Sequence, residues 1–203
     1  MLVDTRLTLP IFIILILSFI FPIFEAMNLL SGIEISVRGI ENIQALLLLS
    51  FAIFSFMFMR PMQLKQGQKQ FWLWAVCWWL LLFGRSTSWG RDYFPEVPKV
   101  YFRAISVVLI GAVVFPLLTS TLRQEIARKF KTASISVWGI VLAVSGLIIS
   151  DSIEHGRLIS ALFLHDMAHK DFVEEMFEFP LILGLFIVAY GVMKQDKLNL
   201  DSK

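Results

Sequence analysis

A single cysteine, Cys77, leaves this 203-residue chain without a partner for an internal disulfide and without the second thiolate that a CxxC redox pair needs. Charge is scarce too: Asp, Glu, Lys and Arg make up only 17% of the residues, and there are three histidines. A typical soluble domain carries about a quarter charged residues, so the deficit excludes an ordinary water-facing surface. What fills the chain instead is apolar, with 57% hydrophobic residues and a mean hydropathy of +0.74.

The apolar residues gather into six stretches, at 7–30, 43–59, 71–88, 101–122, 132–150 and 176–193. A helix needs roughly 20 residues to cross about 30 Å of hydrocarbon, and barrel strands alternate rather than run continuously apolar. The expected fold is therefore all-α: one polytopic membrane domain over 1–203, with six transmembrane helices and a short interfacial helix before the last. The first stretch reads as a membrane helix rather than a cleaved signal, because it is too long for a signal core and Phe24 is bulky where a small residue is wanted. Cys77 falls inside the third stretch and reads as packing.

Lys and Arg in short loops set orientation. With the N-terminus inside, 11 of the 18 Lys and Arg fall on the cytoplasmic side, against 4 of the 16 Asp and Glu. The inner face is then +7 and the outer face −5, so both termini are expected in the cytoplasm of a cell whose inner (plasma) membrane holds the protein. The basic loop Leu122–Lys131 reads as a topology determinant resting on the inner leaflet rather than as a nucleic-acid site. The lipid bilayer is the one firm partner.

Several charges fall at membrane depth. Phe71 to Gly84 is 14 residues, roughly 21 Å of helix, which submerges Arg85; the last stretch reaches Glu178 after a similar distance. An ion at such depth usually faces a bundle interior and pairs. The expected cluster joins Arg85 to Glu178 or Glu175, with Glu25, Glu41 and Asp151 completing an acidic, polar cavity open to the outer face. Gly139, Ala143, Gly146 and Ser150 form a small-residue stripe on the fifth helix, suited to close helix contact. Pro22 and Pro116 are expected to kink the first and fourth.

All three histidines lie between the fifth and sixth stretches. His165 and His169 stand four apart, which on a helix puts two imidazoles on one face and suits zinc or iron. The stripe Asp171, Glu174, Glu175 and Glu178 points elsewhere on the same helix, so a metal would need a break near Lys170 or a further ligand from Asp151, Glu154, His155 or Asp92. Known catalytic patterns are missing: there is no HExxH, GxSxG or P-loop. No apolar stretch carries a histidine, which excludes a haem ligated between spans. The EExxxR of CAAX-type intramembrane glutamic proteases is also absent, Glu174 and Glu175 being followed by Phe179.

The segment FGRSTSWGRDYFP, from Phe83 to Pro95, is the other motif. Together with Glu41-Asn42 before the second stretch, and with Glu174-Glu175 and Glu178 before the last, it resembles a group of bacterial polytopic inner-membrane proteins that carry an EEISWGQ-type segment. Arg85 and Ser86 stand where that motif has two glutamates. The resemblance implies a polytopic membrane fold and no known activity. Three functional readings follow: an outward-facing cavity binding a small polar or lipidic ligand through Arg85, Arg91, Glu175 and Glu178, in transport or as an accessory; a metal-dependent lipid hydrolase with His165 and His169 as ligands and Glu175 as general base; or a structural subunit of a membrane complex.

Overall fold

A computed structural model of the chain describes residues 2–27 and 37–201. It is almost entirely helical. Among the described residues seven α-helices run α1 (Leu9–Ala26), α2 (Val37–Met59), α3 (Gln66–Ser86), α4 (Lys99–Val114), α5 (Ser120–Thr132), α6 (Val137–Glu154) and α7 (Lys170–Asp201). Two short strands, β1 (Leu2–Asp4) and β2 (Ser134–Ser136), form a two-stranded sheet.

Among the described residues four segments are long and apolar enough to cross a membrane: Val37–Gln63, Lys99–Leu118, Val137–Glu154 and Met167–Leu200. The first helix contributes a shorter apolar run, Leu9–Ile20. α3 is 21 residues long, but four tryptophans and a polar first turn make it less apolar. Its full length, roughly 31 Å, corrects the 14-residue span read from composition alone, and Arg85 falls in its last turn.

The ends of the helices also differ from expectation. The stretch expected as one helix over 101–122 breaks at Pro116: α4 stops at Val114, a 3-10 turn follows over Phe115–Leu118, and the basic segment becomes α5. The last helix does not start at Met176. It extends back to Lys170 and runs on through Pro180, and the expected short interfacial helix is replaced by 3-10 turns at Leu158–Leu162 and Met167–His169.

The chain divides into two compact units. One comprises Glu41–Ser134 with the extreme N-terminus and the end of α7 from Val192; the other comprises Val3–Ile40 and Ile135–Gly191. In the first, α3 packs on α4 and α5. The Trp74 indole donates to the Val113 carbonyl at 2.9 Å, and Trp79 packs edge-on against Phe51 at 5.5 Å. In the second, the stripe on α6 is buried along its whole length, and α7 answers it with Gly184. A Cβ on Gly146 would sit 2.6 Å from the Leu181 nitrogen, and one on Gly184 would sit 2.6 Å from the Ala143 nitrogen, so here backbone lies against backbone. Next to this seam Ile153, Val173 and Phe177 form a buried cluster on which Phe163 packs edge-on, tying the 3-10 segment to α7.

Candidate functional site

The C-terminal end of α3 holds an unusual piece of backbone. Ser88 (φ 48°) and Trp89 (φ 61°) are both left-handed, and Gly90 (φ 95°) follows. Left-handed geometry costs a non-glycine residue about 1–2 kcal/mol, so something must hold it. Thr87 ends α3 by donating its hydroxyl to the Phe83 and Gly84 carbonyls. Gly84 then makes room: a Cβ there would lie 2.7 Å from the Trp89 ring, which rests on the bare helix backbone. On the other side the Phe102 ring approaches Gly90. The motif glycines thus serve one purpose, to let Trp89 fold back onto α3 and to let the chain turn towards α4.

The turn leaves a cavity of about 280 Å³ between itself and the start of α4. Ser88, Trp89 and Arg91 line it from the turn; Lys99, Arg103 and Ser106 line it from α4, over the buried Phe102. Lys99, Phe102, Arg103 and Ser106 are spaced i, i+3, i+4 and i+7 and so share one helical face. Among the described residues that line this cavity none is acidic. The cavity containing Arg91 is therefore basic. Arg91 makes a long contact to Asp92, 3.5 Å from Nε, with both side chains about half exposed. The Tyr93 hydroxyl donates to Asn42 Oδ1, so the Asn of the Glu41-Asn42 pair and the SWGRDY segment, distant in sequence, are brought together.

The other expected site residues are distributed as follows. Glu41, Arg85 and Arg91 belong to the first unit, while Glu25, Asp151, Glu175 and Glu178 belong to the second. Glu25 is in the last turn of α1, and its side chain lies outside the described residues. Asp151 finds its cation in Arg157, at 2.6 Å, an arginine that the sequence pattern does not single out. Glu174 lies within electrostatic reach of Glu154, Glu178 and Asp171, with Lys170 opposing them.

His165 and His169 do not share a helical face. His165 lies in a bend, and Asp166 breaks the run by accepting the Ala168 amide at 2.9 Å as the cap of the next turn. Asp151, Glu154 and His155, which the sequence offers as further ligands, do come together, with one ligand atom each lying within 4.8 Å of the others. Arg157 already neutralises Asp151, however, and the His155 Nδ1 sits 3.0 Å from the Asp151 carbonyl. That charge pair competes with any cation.

A buried charge network occupies the opposite end of α3. Lys129 bonds Asp196 and lies 3.7 Å from Glu125, and its amine sits over the Phe71 and Trp72 rings at 5.5 and 5.7 Å. The Trp72 indole donates to Asp196 at 2.9 Å. Arg128 forks onto both Glu125 oxygens. That hydrogen bond holds the Glu125 carboxyl below the usual glutamate range and raises the Arg128 guanidinium above its own. Gln195 and Ser134 exchange hydrogen bonds beside it, at 2.8 and 2.7 Å.

Compared with protein-family models, curated proteins and solved structures, the chain matched none.

Proposed function

We propose that the chain is a six-span integral membrane protein, with both termini cytoplasmic, that binds a small polar or lipidic ligand at the outer end of α3. α1 and α3 are the two spans added to the four long apolar segments. For α3 the support is its length and the character of its ends, a charge network at one and a polar cavity at the other. The membrane is the cell's inner membrane, following the excess of Lys and Arg on the cytoplasmic side.

The observation that carries the binding reading is the pair of left-handed residues, Ser88 and Trp89, at the mouth of the cavity. Strain of this kind persists where surrounding structure holds it and gathers at ligand sites. In this reading Arg91, Lys99, Arg103 and Ser106 are the residues of the site. The hydrolase alternative gains no support from a shared helical face, since His165 lies in a bend and His169 in the 3-10 turn that follows.

Native mass spectrometry of the detergent-released protein tests the reading. Wild type is expected to retain an adduct of defined mass, and Ser106→Trp, which fills the cavity, is expected to lose it. Identical spectra for the two proteins would contradict a binding role for this site.

A further inference from the structure

The geometry points to a phosphate-bearing anion as the occupant of the α3–α4 cavity, an inference that rests on the binding role proposed for that site. Three cations converge on it: Arg91 from the turn, and Lys99 and Arg103 one helical turn apart on α4. No acid is among its described lining residues, so an anion that enters meets three like charges with no carboxylate of the lining to compete. The Arg91 contact to Asp92 is long and exposed, the kind of ion pair that contributes least.

The donors favour phosphate over a carboxylate. A carboxylate carries one charge and two oxygens, whereas a phosphate monoester carries nearly two charges on three strongly accepting oxygens. Two guanidinium groups offer forked donors and the Lys99 ammonium offers a point charge, the usual pairing of groups around phosphate. The Ser106 hydroxyl is spent on the Arg103 carbonyl, at 2.8 Å, which leaves recognition to the cations and to Ser88.

Size and setting add to this. At about 280 Å³ the cavity lies at the small end of ligand pockets and suits a headgroup or a small ester rather than a large cofactor. Its backbone is already held by Gly84 and Trp89, so binding need not order the turn.

The test is calorimetric titration and thermal melting of the purified protein in an uncharged detergent at low salt. The probes are inorganic phosphate, glycerol 3-phosphate and dihexanoyl phosphatidic acid, with chloride and glycerol as controls. At least one phosphate species is expected to bind and to raise Tm. Affinity should fall roughly tenfold in Lys99→Gln and in Arg103→Gln, and by less in Arg103→Lys, which keeps the charge and loses the fork. Equal binding of all three phosphates assigns the site to a soluble anion; tenfold preference for phosphatidic acid assigns it to a lipid headgroup. Binding unchanged in Arg91→Gln/Lys99→Gln/Arg103→Gln, or no binding by any phosphate, overturns the proposal. If the defined adduct of wild type is then still lost in Ser106→Trp, the binding role stands and only its phosphate chemistry fails; if no adduct is lost, both fail.

Discussion

Glu125 shows how much a single residue's setting changes what it does. By charge count it is one of four acids on a basic face; in the fold it is buried, forked by Arg128 and close to Lys129. Because its carboxyl is held low in the folded protein, it binds a proton more readily once unfolded, at a pKa near 4.3. Its contribution to stability is then complete above that value and is lost as pH falls through the lower, folded one. Melting curves from pH 7 down to pH 3 should show wild type losing stability on the acid side. Glu125→Gln should begin with a lower Tm at pH 7 and lose less on acidification. Parallel curves for the two proteins would show that other groups govern the acid limb. The network's partners were not legible in sequence: Lys129 and Asp196 are 67 positions apart, and both look like loop charges until α5 folds beneath α3.

Among the elements, the α6–α7 seam makes the sharpest demand. Small residues at three- and four-residue spacing make the α6 face legible in the order of amino acids alone. Gly184 gives no such signal, because α7 from Phe179 to Met193 is apolar all round and offers no face to read. Gly146→Ala would push a methyl against the backbone of Leu181 and Phe177, an overpacking that typically costs about 1–3 kcal/mol. Gly191→Ala meets nothing within 4 Å, so it should leave Tm unchanged or slightly higher. Thermal melts of the two variants side by side check this, and equal losses would contradict the close approach. The His165–His169 segment failed as a helix for a local reason, the Asp166 cap, a turn signal that the four-residue spacing overshadowed. The basic cavity was hidden for a different reason. Lys99, Arg103 and Ser106 are ordinary residues at a helix start until Gly84 lets Trp89 turn the chain towards them.

For the whole molecule, the central claim is that α3 crosses the membrane and separates two chemistries, an internal ion network at its start and a basic cavity at its end. Composition made the all-α class and the long apolar helices legible, whereas α3 lay at the margin because tryptophans and an early polar turn dilute its hydropathy. Its status decides where the cavity faces. The most direct measurement is labelling by a membrane-impermeant thiol reagent in a Cys77→Ser background, with Lys65→Cys before α3 and Asp92→Cys after it. The six-span account predicts that Asp92→Cys is labelled from outside intact cells and Lys65→Cys only after the membrane is opened. Labelling of both from the same side would contradict it, removing α3 from the spans and placing the cavity on the same face as the ion network.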